Sequence, residues 1–349
     1  MDKKVVNKLS EILDPTEEQK ERMFNNILNN HENRFTQKRR FISVKRLRPS
    51  LVAAVMAFCL ITTTAFATVH LGLDIKFLNF LNPSSDKQAE YFANGAYVVD
   101  KQVKNKNGTL DIKQVIGDSN LTLILMDFIA PEGTVLNKAH YSFEDMYTNI
   151  LGNHGFYGYG IISLEDENIN DNKISMVMQI NNRDSFMGRE IHLKFTNLQG
   201  ADTKPGEFTT AVSGEWETRF KLNFKSYSTT YQLDKWVNIY GYEAILKTVS
   251  ISPISVALNL DSQFLSDIVE ASENWETENL EALGLSEHSD LYPITINYKD
   301  GTSETTDVLK GMHSMGTDGI WFIKTFENVI NDKEILSITF FDTEIPITH

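Results

Sequence analysis

Apolar and polar residues alternate in short runs along most of the chain, and Asn, Asp and Gly break the runs at intervals of roughly ten residues. Leu110–Ile116 and Leu121–Ile129 flank Gly117-Asp118-Ser119-Asn120, the pattern of a β-hairpin. Further strand-like runs are Lys173–Ile180, Glu190–Phe195, Trp216–Phe224, Tyr242–Ser250, Ser255–Leu260, Tyr292–Tyr298, Thr305–Leu309, Ile320–Phe326 and Ile335–Phe341, with a second hairpin turn at Lys299-Asp300-Gly301-Thr302. Such spacing predicts a mainly β chain of sandwich architecture rather than βαβ units. The body is too long for one common sandwich. "SYSTTYQLDK", Ser226–Lys235, loses apolar content, so two sandwiches are expected, over 95–226 and 227–349.

Helical periodicity appears in three places. Near the start, Thr16 can cap a helix with Glu17 and Glu18 in its first turn, and Met23, Phe24, Ile27 and Leu28 form one narrow apolar face. Val5-Val6, Leu9 and Ile12-Leu13 offer an earlier short helix. Next, Ile75, Phe77, Leu78, Phe80 and Leu81 predict a helix that ends before Pro83, followed by a second short helix and an extended stretch from Ala96, which makes 72–94 a helical linker. Finally, "FLSDIVEASENWETENLEAL" places Phe264, Ile268 and Val269 on one face of a helical insert.

One segment departs from both patterns. Leu51 to Val69 carries no charge and shows no polar stripe, and as a helix it would reach about 28 Å, close to the hydrocarbon thickness of a bilayer. A transmembrane helix is expected over 49–71. Residues 1–48 hold 12 Lys/Arg against 7 Asp/Glu, whereas the whole chain has a net charge of −14. The basic flank, Lys38, Arg39, Arg40, Lys45, Arg46 and Arg48, lies immediately before the span, which places 1–48 in the cytoplasm and the acidic body outside. Ala65-Phe66-Ala67 would serve a cleaved signal peptide, but the region before the span is long for a signal-peptide head.

Composition narrows the chemistry. The acidic body disfavours nucleic acid as a ligand. A single cysteine, Cys59, excludes an intrachain disulfide and a clustered Cys/His zinc site, and a body held by its core alone suits a Gram-positive surface. "GMHSMG", Gly311–Gly316, resembles a nucleophile elbow, but Met312 stands where glycine is needed, so a hairpin or connecting loop is expected at Ser314. Asp166–Asn172 has the oxygen-rich character of a calcium loop without its glycine and closing glutamate, and a polar loop is expected. Glu215 and Glu217 flank Trp216 and share one strand face. Glycosidase carboxylates sit across a cleft, so Trp216 is expected inward with both acids in water. "HGFYGYG", His154–Gly160, offers aromatic rings either to a wall polymer or to its own sandwich. No catalytic residue, metal or cofactor is expected.

"EEQKERMFNNIL", a basic stop, one span, "GEWETRFKLNF" and "VSISPISVALNL" together resemble the Gram-positive membrane family called domain of unknown function four-one-seven-nine. "YPITINYKDGT" and "SITFFD" are similar to a companion immunoglobulin-like domain. The motif residues Gly214, Trp216, Ser252 and Pro253 are packing residues. The resemblance implies an anti-sigma-factor-like regulator, and the chain lacks the His-xxx-Cys-xx-Cys motif of one anti-sigma class. Two functions follow as expectations. In one, 1–48 binds a sigma factor through Met23, Phe24, Ile27 and Leu28 while the exterior senses an envelope ligand. In the other, the head only anchors an envelope-binding or structural protein in membrane lipid.

Overall fold

In the computed structural model the described residues are 72–349, except 84, 153–156, 166–167, 204–205, 273–293, 306–311, 317–318, 326–328, 331, 342 and 348–349. The expected cytoplasmic segment, the expected span 49–71, the apolar face Met23, Phe24, Ile27 and Leu28 and the basic flank Arg39, Arg40, Lys45, Arg46 and Arg48 all lie outside them. Among the described residues no helix is long and apolar enough to cross a membrane.

The described chain is mainly β. Two helices come first, α1 (Ile75–Leu81) and α2 (Asp86–Gly95). Asp74 caps α1 by accepting from the Lys76 amide at 2.9 Å; the helix stops at Asn82, in the left-handed region with φ 46°, just before Pro83. Strands follow in two groups. The first comprises β1 (Tyr97–Asn105), β2 (Gly108–Gly117), β3 (Leu121–Ile129), β4 (His140–Ile150), β5 (Tyr157–Ser163), β6 (Lys173–Asn182), β7 (Glu190–Ala201) and β8 (Thr209–Lys221). They form one antiparallel sheet in the order β1-β2-β3-β6-β5 and another in the order β4-β7-β8. The second group comprises β9 (Thr229–Ile239), β10 (Tyr242–Ile251), β11 (Ser255–Asp261), β12 (Ile294–Tyr298), β13 (Ser303–Thr305), β14 (Met312–Gly316), β15 (Gly319–Thr325), β16 (Ile335–Phe340) and β17 (Thr343–Pro346). Its sheets run β14-β15-β11-β10-β9 and β13-β12-β16-β17. The expected helical insert begins at 265–272, and its Ile268 is buried in the core of this second group.

Each pair of sheets encloses its own apolar cluster in sandwich-like fashion. In the first, Trp216 is fully buried, edge-on to Phe128 at 4.8 Å, and its indole N–H donates to the Gly108 carbonyl at 3.3 Å. In the second, Phe322 and Phe340 meet at 4.9 Å from opposing sheets. The run Leu121–Met126 breaks simple alternation because β3 is covered on both faces. Ile124, Met126 and Phe128 point into the sandwich. Leu121, Leu123 and Leu125 point out, under Leu73, Phe77 and Leu81 of the α1 region and Phe92 of α2.

The open corners of the sandwiches are closed by side chains. On one side of the first pair, the Tyr157 and Tyr159 hydroxyls of β5 donate to the Thr148 and Met146 carbonyls of β4, at 2.5 and 2.6 Å, and the Tyr141 amide donates to Ser163 Oγ at 2.7 Å. On the other, Lys101 and Asn105 of β1 donate to the Arg219 and Glu215 carbonyls of β8. In the second pair, Lys235 of β9 donates to the Glu344 carbonyl of β17.

Candidate functional site

Two hairpin tips meet where the sheet pairs join. The β2–β3 tip carries Asp118, and the β10–β11 tip carries Ser252 and Ser255. Asp118 is 2% exposed. Its Oδ1 accepts from the Asn120 and Leu121 amides, both at 2.7 Å, in an Asx-turn. Its Oδ2 accepts from Ser255 Oγ at 2.6 Å and from Ser252 Oγ. Ser252 Oγ in turn accepts from the Ile254 and Ser255 amides at 3.1 and 3.0 Å, so the second tip is a serine turn of the same design. Burial pushes the Asp118 carboxyl above the usual carboxylate range, and the hydroxyl and amide donors only partly offset it.

The strands and their linker converge on this contact. Asn120 Nδ2 donates to the Asn182 and Arg183 carbonyls, and Asn182 Nδ2 donates back to the Ser119 carbonyl, tying the tip to the end of β6. Ser228 Oγ accepts from the Ser119 amide at 3.0 Å. Tyr227 stacks on Tyr91 of α2 at 4.0 Å between centroids, and burial raises the pKa of the Tyr91 hydroxyl. Close approach requires glycine at two positions: a Cβ on Gly95 would meet Tyr227 at 2.8 Å, and one on Gly117 would meet Phe224 at 2.7 Å. The space left here is about 10 Å³, room for no more than about one water, so the junction is a packed joint and not a ligand pocket.

The second anchored point lies where the chain enters α1. Gln114 grips the backbone with both ends of its amide: Oε1 accepts from the Asp74 N–H at 2.8 Å, and Nε2 donates to the Gly72 carbonyl at 2.6 Å. Beside it a polar row crosses four strands, with Gln102, Asp111, Asp127 and Ser175 in register. Lys76 of α1 donates to Ser175 Oγ at 2.8 Å, Ser175 donates to Asp127, and Lys173 pairs with Asp127 at 2.7 Å. Burial lowers the Lys173 pKa, but its bond to Asp127 and the nearby charges of Asp127, Asp74 and Asp111 outweigh this and hold it raised. Phe77, fully buried, completes the attachment.

The residues singled out from sequence separate clearly. Trp216 points inward, and Glu215 and Glu217 lie in water, paired with Lys194 at 2.8 Å and His192 at 2.7 Å on the outer face of the β4-β7-β8 sheet. The backbone at Ser314 is strand, in the hairpin β14–β15, and not the strand–turn–helix of a nucleophile elbow. In the oxygen-rich loop, Asp166 and Glu167 lie outside the described residues. Asp171 accepts from the Lys173 amide at 2.8 Å, and Asn172 donates to the Ala130 carbonyl, so these side chains serve the turn. Among the described residues there is no group of three or more His, Cys, Asp or Glu placed to hold a metal. Of the aromatic run, the described part is strand β5, whose Tyr157 packs on its own core. Sequence reasoning read Asp118 only as a turn residue. The available signal was the pair Ser252 and Ser255 about Pro253, three apart at a second tip.

Comparison with protein-family models found no match, and comparison with curated proteins found none. Among solved structures, the chain is similar to the conserved domain protein from Bacillus anthracis, at 14% identity and TM-score 0.46, covering 71% of this chain and 77% of that one. It is also similar to the N-terminal periplasmic domain of ScsB from Proteus mirabilis, at 9% identity and TM-score 0.21, covering 72% of this chain and 96% of that one.

Proposed function

We propose that the chain is a single-pass membrane regulator of anti-sigma-factor-like type. Residues 1–48 bind a cytoplasmic sigma factor, 49–71 cross the bilayer, and the β-rich remainder is an extracytoplasmic binding region of two immunoglobulin-like sandwiches. The observation that carries this reading is the attachment of α1. The apolar segment leads directly into a helix clamped by Gln114, Lys76 and Phe77 to the outer face of the first sheet. The second sheet pair is locked to the first through Asp118. A load on either pair is thereby delivered to the start of α1 rather than absorbed by a loose linker, which suits a region that reports binding through one span.

The test has two arms. Trypsin applied to intact protoplasts should digest the β region and spare 1–48, and immobilised 1–48 should capture a sigma factor. Protection of the β region overturns the membrane topology. Correct topology without a captured sigma factor leaves an anchored envelope-binding protein in its place.

A further inference from the structure

One row of side chains runs under the start of α1 and crosses all five strands of the β1-β2-β3-β6-β5 sheet. Val98 is opposite Gln114, Gln114 opposite Leu125, Leu125 opposite Val177, and Val177 opposite Ile162. Directly opposed residues share a face. This face points away from the sandwich, because Tyr97, Val99 and Ile161, the chain neighbours of the end members, pack inward. The middle of the row is covered. Leu125 and Val177 are buried with Leu73 and Phe77, and Gln114 holds the backbone at Gly72 and Asp74. Both ends are bare: Val98 is 57% exposed and Ile162 39%. Ile75, the first residue of α1, is 44% exposed and lines one open cleft with Val98, Gly72 and Lys113.

Single exposed aliphatics need no explanation, but three gathered about the point where the chain enters the fold do. Position identifies what covers them. Gly72 is the first residue past the proposed span 49–71, and the chain from 71 to Ile75 reaches at most about 14 Å when fully extended. The headgroup layer is itself roughly 5–8 Å thick on each side of the hydrocarbon. The Gln114 clamp removes the slack between Gly72 and the sheet, so a membrane-anchored chain carries this face at the bilayer surface. Charge there is mixed. Lys113 and Lys173 are partly exposed beside the buried carboxylates of Asp111 and Asp127, but Asp100 is exposed as well, so the attraction is apolar first. Partial burial of three aliphatic side chains would not hold a free protein to a membrane, which takes more apolar area or a second anchor. The span is that anchor, and at the effective concentration set by so short a tether a weak contact is populated.

We propose that the outer face of the β1-β2-β3-β6-β5 sheet docks on the lipid bilayer from which the chain emerges, with Ile75, Val98 and Ile162 seated at the boundary of headgroups and acyl chains. The inference deepens the membrane-anchored reading given above and rests on it.

The test uses the full-length chain in vesicles of phosphatidylcholine and phosphatidylglycerol, with a fluorescent label on one cysteine at a time. Cys59, the single cysteine of the chain, reports on the span. In a Cys59→Ser background, Val98→Cys and Ile162→Cys report on the docking face. Tyr147→Cys is the control, at an exposed position beside His192 on the outer face of the opposing β4-β7-β8 sheet. Lipid with a nitroxide on its headgroup quenches the labels at 98 and 162 and spares the label at 147. Lipid with the nitroxide deep in its acyl chain quenches the label on Cys59. The proposal is overturned if the labels at 98 and 162 lose no more fluorescence than the control. It is also overturned if those labels are shielded from aqueous iodide without being quenched by lipid, which assigns the face to a second copy of the chain. Quenching at Cys59 without quenching at 98 and 162 removes the docking and leaves the membrane anchor standing. No quenching at Cys59 removes the anchor and the docking together, so the two failures are distinct results.

Discussion

Ser255 donates its hydroxyl to the carboxylate of Asp118 at 2.6 Å, across 137 residues of chain, and with Ser252 makes one buried carboxylate common to two hairpin tips. A buried carboxylate is tolerated only with its oxygens supplied with donors. Here both are, two donors to each oxygen.

Asp118→Ala should cost about 2–4 kcal/mol, because it leaves two buried hydroxyls and two amides without their acceptor. Urea unfolding of the full chain measures it. A transition that stays single and unshifted would show the joint to be passive.

The pH response of the joint has a definite sign. The folded pKa of Asp118 lies above its ordinary value of 3.8, so the folded chain takes up this proton at higher pH than the unfolded chain does. The stabilisation from this group is fully present below 3.8 and is lost as pH rises through the raised folded pKa. Unfolding free energies of the parent chain and of Asp118→Asn, taken from pH 7 downward, should therefore diverge in favour of the parent as the folded pKa is crossed. Parallel curves would refute the assignment.

Gln114→Leu should free the entry to α1. Two hydrogen bonds are lost, each worth about 1 kcal/mol, while the sandwich cores are untouched. Amide exchange should accelerate across 74–81 with little change at β3 and β6. Equal acceleration everywhere would mean that the clamp supports the whole fold.

Trp216→Ala should cost about 3–5 kcal/mol, since the ring is fully buried against Phe128 and Phe143. Gly214→Ala should also destabilise, because its Cβ would meet the Trp216 ring at 2.7 Å. Chemical denaturation reads both. Glu215→Gln, in water beside Lys194, should change stability by less than about 1 kcal/mol.

The strands most legible in the sequence are those with one apolar face or a continuous apolar run. The hairpin of β2 and β3 about Gly117–Asn120 was visible because its turn residues interrupt two strong runs, and α1 because Pro83 ends it. Strands β4, β5, β9 and β17 were not visible, and β14 was legible only as a hairpin or connecting loop. β5 reads as an aromatic, glycine-rich loop because its tyrosines bond a neighbouring edge as well as packing on the core. β9 reads as a linker because an edge strand buries few of its residues: Thr229, Thr230, Gln232, Asp234 and Trp236 are all exposed. Asp118 was invisible as a joint for another reason. Its partners lie more than a hundred residues away, and no local pattern specifies which two turns will touch.

The tyrosine, lysine and asparagine ties along the sandwich corners also limit how this molecule meets others. A visiting polypeptide cannot simply extend the β4 or β8 rim, because carbonyls it would need are already engaged from within the same chain. Recognition along these two rims is left to side-chain surfaces and loops, and copies crowded side by side need not seed lateral fibre growth through them.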